Sequence, residues 1–199
     1  MLIMNSNCSE DYLASSTYVN FDHKLIQDTA VQLAKSTNSE IDFIKAAFEF
    51  VRDKTPHSFD IGATKVSITA SDVLVNGHGI CYAKTLLLAA ILRYMKIPAG
   101  FCYQKLQLSP ENPKIIIHAL NAVYIQSLDQ WIRLDARGNK NGVDAQFSLT
   151  EEKLAFPVRP ELGESDGFVI YSQPAENTIS ALKNSKTVSE LVENLPEEL

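Results

Sequence analysis

Cys81 is the residue best placed to act as a nucleophile in this chain. Gly77 and Gly79 precede it, and a long apolar segment that ends near Met95 follows it. Glycine permits a tight turn, and a segment that is apolar on nearly every face predicts a buried helix beginning at the cysteine. Free N–H groups and the positive end of the helix dipole favour an anion in that first turn. The pattern predicts a reactive thiol, whereas a lone cysteine in an apolar region is more commonly an inert core residue.

Two further residues could complete a catalytic set with this cysteine. His118 lies in a run of β-branched residues that predicts a strand over 115–126, and Asp135 lies near the end of a predicted strand over 130–136. The short polar turn between them indicates an antiparallel hairpin, which could bring the two side chains together. An imidazole can accept the thiol proton near neutral pH, and a carboxylate can fix the imidazole tautomer. Taken singly, His118 could equally be a histidine of the hydrophobic core. Asp135 could equally be a residue that caps a turn or forms a salt bridge.

The combined pattern resembles the transglutaminase-like superfamily. Its elements are Gly-x-Cys-Tyr opening an apolar helix, then a strand histidine, then Trp131 four residues before Asp135. The resemblance covers about residues 40–145 and implies a papain-like core in which Cys81 is the nucleophile, His118 the general base and acid, and Asp135 the orienting carboxylate. At the aspartate this chain has Asp-Ala-Arg-Gly-Asn, whereas many relatives have Asp-Pro-Thr. In this respect the chain is more similar to a bacterial branch of the superfamily. Members include peptidases, deglycosylating amidases, cross-linking enzymes and inactive relatives, so the substrate class stays open.

The order of predicted elements, helices before strands, indicates an α+β fold. We expect one domain over residues 1–199, with its core at about 40–145 and helical extensions at both ends. By the resemblance, a central helix bearing the nucleophile packs on an antiparallel sheet. A capping box of Thr37 and Glu40 is predicted to start one of the helices. The predicted helices cover about 22–36, the segment from this capping box to just before Pro56, 71–75, 81–95, and one or two C-terminal segments around Leu182 and 191–195. The predicted strands cover about 99–107, 115–126, 130–136 and 168–171.

Composition limits the classes of partner. The net charge of −6 argues against nucleic-acid binding. The longest apolar run, Leu86 to Leu92, is far below the ~18 residues that a membrane span needs, and the N-terminus does not read as a signal peptide. Three cysteines without framework spacing suit free thiols in a reducing compartment, so we expect a cytoplasmic protein. No Cys-x-x-Cys pair or EF-hand spacing is present, and no cofactor or metal is expected.

Other residues could line the active site. The backbone N–H of Cys81 is the first candidate for an oxyanion donor, because it lies at a helix start. His57 and His78 could reach the cleft, although both are more typical of turns. Four further residues could contact the oxyanion or the substrate: Tyr82, Gln104, Arg137 and Asn139.

The sequence therefore predicts a cysteine amide hydrolase or acyl transferase, resembling a peptidase or amidase, that forms an acyl-enzyme on a peptide or protein substrate. One alternative is a module on the same fold that binds peptides without catalysis, although the intact Cys, His and Asp argue against it. Another is a thiol redox protein that pairs Cys81 with Cys102. Such a pair requires Cα atoms within ~7 Å, which a helix start and a strand give no reason to expect.

Overall fold

The computed structural model describes residues 1–199, with helices concentrated in the first half and strands in the middle. The helices are α1 (Lys24–Ala34), α2 (Glu40–Lys54), α3 (Ala70–Asn76), α4 (Cys81–Tyr94), α5 (Glu176–Asn184) and α6 (Val188–Glu193). The strands are β1 (Ile3–Met4), β2 (Ala99–Gln107), β3 (Ile115–Ile125), β4 (Gln130–Leu134), β5 (Ser165–Asp166) and β6 (Val169–Ile170). The predicted α+β class is confirmed, and so are the C-terminal helices.

Helix α4 lies at the centre of the molecule. Every residue from Cys81 to Arg93 is buried, because α1, α2 and α3 pack on one side of the helix and strands β2 and β3 pack on the other. A helix enclosed in this way is expected to be apolar on most of its surface, which is the pattern of the 86–92 segment. The prediction that the helix bearing Cys81 is buried against an antiparallel sheet is therefore confirmed.

The main sheet has the strand order β4-β3-β2-β5, and all its neighbouring strands are antiparallel. His118 on β3 lies opposite Gln104 on β2. The predicted hairpin of β3 and β4 is present, and its register pairs Asn121 with Leu134. Asp135 is thus the first residue after the end of β4, on the same stretch of sheet as His118.

The predicted capping box of Thr37 and Glu40 is wrong. Ser39 is the N-cap of α2, and its hydroxyl accepts the N–H of Asp42 at 3.1 Å. Ser39 has the extended backbone that an N-cap requires, with φ −145° and ψ 165°. The Glu40 carboxylate instead accepts the N–H groups of residues 126 and 127 in the β3–β4 turn. A long-range contact therefore uses the side chain that the local pattern assigned to the cap.

The glycine turn before α4 holds a neighbouring segment in place. Gly77 ends α3 in the left-handed conformation, with φ +75°. Gly79 packs so closely that an added Cβ would lie 3.2 Å from the Cβ of Ala83. The Gly79 N–H donates to the Pro56 carbonyl at 3.3 Å, and its own carbonyl accepts the Ser58 N–H at 3.1 Å. These two bonds place residue 57 directly beside the start of α4.

The C-terminal segment packs against the first half of β3, which β4 does not reach. The carbonyl of Pro196 accepts the N–H of Ile117 at 2.8 Å, which brings the end of α6 next to the strand that carries His118. None of the helices combines the length and the apolar character needed to cross a bilayer.

Candidate active site

A cavity of about 370 Å³ opens at the N-terminal end of α4. Cys81, His57 and His118 all line it. Cys81 is the first residue of α4 and is 8% exposed, so its side chain meets the cavity at the positive end of the helix dipole. The structure therefore brings the thiol of Cys81 and the ring of His118 to one shared space.

His118 and Asp135 form a buried pair. The Nε2 atom of His118 lies 2.8 Å from Oδ2 of Asp135, and both side chains are almost fully buried. The edge of the His118 ring meets the Phe156 ring at an interplanar angle of 87°. Because Nε2 is used by the carboxylate, Nδ1 is the ring nitrogen that is left for Cys81 and for substrate.

Backbone groups hold the Asp135 carboxylate as well. Its Oδ1 accepts the N–H of Arg137 at 3.1 Å, and its Oδ2 accepts the N–H of Ala155 at 3.1 Å. The carboxylate thus joins the end of β4, the following loop and the segment around residue 155. Removing its charge is expected to disturb all three.

The charges of this pair reinforce each other. Burial by itself lowers the pKa of His118, but the Asp135 carboxylate and the neighbouring Cys81 raise that pKa to about 10. Burial by itself raises the pKa of Asp135, whereas His118 and the two backbone N–H groups hold that pKa below its ordinary value. Both shifts favour an imidazolium beside a carboxylate, which is the form in which His118 has a proton to donate.

The predicted oxyanion donor already has a partner. The backbone N–H of Cys81 donates to Nε2 of His57 at 3.2 Å. It is therefore not the free donor that its position at the start of a helix predicts. Burial lowers the pKa of His57 well below its ordinary value, with a further contribution from the charge of Arg137. The neutral ring carries its proton on Nδ1, which is buried and has no hydrogen-bond partner. His57, which the sequence pattern favoured as a turn residue, is thus part of the site.

Arg137 lines the cavity, and its charge is compensated there. Its guanidinium donates two hydrogen bonds to the Asp60 carboxylate, and Lys140 donates a further one at 2.7 Å. The guanidinium carbon also lies 5.8 Å from the centre of the Phe156 ring. Burial by itself raises the pKa of Asp60, but the hydrogen bonds from both cations hold that pKa at about 2.

The other three predicted contact residues do not line the cavity. The Tyr82 hydroxyl donates to the carbonyl of Ile117 at 2.7 Å. The Asn139 amide bonds to both backbone groups of Ala145. Gln104 is buried opposite His118, and its Oε1 has no hydrogen-bond partner. Tyr82 and Asn139 therefore hold neighbouring backbone in position.

Lys84 supports the site from within the core. It is fully buried one helical turn after Cys81, and its Nζ donates to the carbonyls of Thr55 at 2.5 Å and Arg137 at 2.9 Å. Burial lowers the pKa of Lys84 to about 7. The ammonium joins the end of α2 and the loop after Asp135 to the helix that carries the cysteine.

The other two cysteines are not bonded to Cys81. All three cysteines are free. Cys102 packs with Tyr12 and Leu120 in a hydrophobic cluster separate from the one that contains Cys81, which gives no support to a redox pair. Burial raises the pKa of Cys102 to about 12. The structure contains no group of three or more His, Cys, Asp or Glu side chains arranged to hold a metal ion.

Distant segments complete the cavity. Arg159, Glu164, Val192 and Leu195 line it, although they lie outside the stretch with recognisable motifs. No local periodicity or spacing marks these residues, because only tertiary packing brings them to the start of α4.

Comparison with known proteins relates this chain to one protein family and to solved structures. The model of the transglutaminase-like superfamily matches residues 27–136. The structure of a candidate cysteine protease from Cytophaga hutchinsonii matches with 23% identity and a TM-score of 0.53, over 66% of this chain and 43% of that one. A structure described as a TGase matches with 18% identity and a TM-score of 0.47, over 98% of this chain and 53% of that one. The chain therefore spans about half, or less, of these two proteins. No curated protein matches significantly.

The family match covers more than half of the chain and includes Cys81, His118 and Asp135. The Cytophaga hutchinsonii structure shares the fold. This protein is a member of the transglutaminase-like superfamily.

Proposed function

We propose that this protein is a cysteine-dependent amidase or peptidase that cleaves peptide or protein amides through an acyl-enzyme. The observation that carries the proposal is that His118, which is held by a buried bond to Asp135, lines the same cavity as Cys81 at the start of α4. Such an arrangement supplies a nucleophile, a proton carrier and a group that orients the carrier.

The chemistry follows from the charges. The sulfur of Cys81, its proton held by His118, attacks the amide carbonyl and forms a C–S bond. Imidazolium His118 then protonates the leaving amine as the C–N bond breaks, which leaves a thioester on Cys81. Water attacks the thioester and gives a proton to His118, and the carboxylic acid departs as the C–S bond breaks. Asp135 keeps Nε2 protonated throughout, so that Nδ1 performs each proton transfer.

His57 supports the developing oxyanion in this proposal. The His57 ring carries its proton on Nδ1 because Nε2 accepts the N–H of Cys81. No other bond favours this tautomer, since Nδ1 has no hydrogen-bond partner. An oxyanion that binds at the Cys81 N–H would favour the other tautomer, in which Nε2 carries the proton. The N–H groups of Cys81 and His57 would then both point to the oxyanion, and each donor is worth about 3 kcal/mol in comparable sites.

The test is turnover of a peptide library, followed by mass spectrometry, with Cys81→Ala and the matched exposed substitution Cys8→Ala. We expect the wild type and Cys8→Ala to cleave the same amide bonds. Cys81→Ala should stay folded, lose all turnover and form no thioester adduct. If folded Cys81→Ala retains turnover, covalent catalysis is excluded. If the wild type binds peptides without cleaving them and Cys81 reacts with chloroacetamide no faster than Cys8, the protein is a binding module instead.

A further inference from the structure

The cavity has an aliphatic end beside His118 that the proposed chemistry does not use. Ile116 lies two residues before His118 on β3, and its cross-strand partner is Leu106. Because side chains alternate along a strand, both lie on the same face of the sheet as His118. Both line the cavity.

The C-terminal helix closes this end. Val192 and Leu195 line the cavity from α6 and the residues that follow it. The bond from the Ile117 N–H to the Pro196 carbonyl, 2.8 Å long, fixes this segment against β3. Lys114 adds a hydrogen bond to the Glu193 carbonyl at 3.3 Å. The aliphatic end is therefore a pocket with a wall on the C-terminal side. Hydrogen bonds to the carbonyls of residues 193 and 196 hold that wall in place.

Apart from His118, each charged side chain that lines the cavity already has an oppositely charged partner within the protein. Arg137 and Lys140 both bond to Asp60, and Arg159 bonds to Glu164 at 2.5 Å. A charged substrate group would have to displace one of these partners, whereas an aliphatic group would only replace water against an apolar wall. An uncharged aliphatic group therefore suits the aliphatic end of the cavity better than a charged one.

We propose that the pocket formed by Leu106, Ile116, Val192 and Leu195 selects substrates with an uncharged aliphatic side chain next to the reacting amide. This proposal rests on the proposed function, because it concerns the specificity of the same site. A cavity of about 370 Å³ is within the range that holds a small ligand, so it can take the side chain together with the amide.

Two matched probes test the preference. N-butyl chloroacetamide and N-(2-methoxyethyl) chloroacetamide differ by one CH₂ that is replaced by oxygen, and each alkylates a thiolate with loss of chloride. We expect Cys81 of the full chain to react at least about fivefold faster with the butyl probe, since burying a methylene and avoiding an unpaired ether oxygen both favour it. Exposed Cys8 gives the intrinsic ratio of the two probes in the same sample.

Two substitutions of half-buried Val192 test the pocket itself. Val192→Thr keeps the volume and adds a hydroxyl, so the ratio should fall toward that of Cys8. Val192→Phe fills the pocket and should slow the butyl probe more than unsubstituted chloroacetamide. Val31→Thr makes the matched change on the exposed face of α1 and should keep the wild-type ratio.

The outcomes separate this proposal from the proposed function. If Cys81 reacts rapidly but shows the same probe ratio as Cys8, the pocket does not select aliphatic groups. A wild-type preference that neither Val192 variant changes also overturns the proposal. If Cys81 does not react with unsubstituted chloroacetamide faster than Cys8, the proposed function fails instead.

Discussion

Replacing Asp135 with asparagine tests whether one carboxylate serves both the chemistry and the local fold. Its Oδ1 accepts the N–H of Arg137, and its Oδ2 accepts both the N–H of Ala155 and the Nε2–H of His118. In Asp135→Asn an amide nitrogen must replace one of these oxygens, and in either orientation at least one buried backbone N–H then faces a donor. A buried donor without an acceptor costs about 1–3 kcal/mol, which lowers the melting temperature of a protein of this size by roughly 2–12 °C.

The same change should slow the reaction. An asparagine amide that turns its nitrogen toward His118 can pair only with the wrong tautomer of the ring, and the corresponding loss in serine proteases is about 10⁴-fold. A thiol depends less on its base than a hydroxyl does, so we expect a smaller loss that leaves measurable turnover.

Thermal melting and turnover of the peptide library measure the two effects on one preparation of the protein. The control is Asp144→Asn, which removes an exposed carboxylate paired with Lys153 and should shift stability by less than about 1 kcal/mol. A variant at position 135 that melts and reacts like the wild type would refute the assigned contacts. Global unfolding would assign Asp135 a purely structural role.

The remaining predictions concern pH, packing and the oxyanion. The contribution of the raised pKa of His118 to stability is fully present below its ordinary pKa of 6.5 and is lost as the pH rises through about 10. Urea unfolding of the wild type and of His118→Gln at several pH values measures this contribution. Lys84 acts in the opposite direction, because its lowered pKa makes stability fall as the pH drops from 10.5 to about 7, and Lys84→Met should remove this slope. Gly100→Ala would place a Cβ 2.5 Å from Cγ2 of Ile170, so its melting curve should show a loss of about 1–3 kcal/mol. His57→Ala should reduce kcat by about 10²–10³-fold without unfolding the protein.

Local signals account for the parts of the site that could be predicted. The apolar segment after Cys81 and the β-branched residues around His118 each determine one element by themselves. The hairpin then limits Asp135 to the neighbourhood of His118, because antiparallel register leaves few alternatives. The resemblance to the family added the roles of these residues.

Tertiary contacts explain what the sequence could not predict. His57 reaches the Cys81 N–H only because residues 56 and 58 pair with Gly79, which is more than twenty residues away. The Glu40 carboxylate, which the local pattern assigned to a capping box, instead binds the β3–β4 turn. In both cases the side chain binds a partner that is distant in the sequence, and the spacing of residues along the chain does not indicate that partner.

Lys84 joins two segments of the site to the helix that carries Cys81. The helix that carries Cys81 also carries this ammonium one turn later, and its bonds to the Thr55 and Arg137 carbonyls reach both the end of α2 and the loop after Asp135. The segment before His57 and the segment after Asp135 are thus tied to the same rigid helix as the thiol. A buried ammonium is costly unless such acceptors surround it. The bonds to these two carbonyls offset part of that cost. They also fix the segments that carry His57 and Asp135 relative to Cys81.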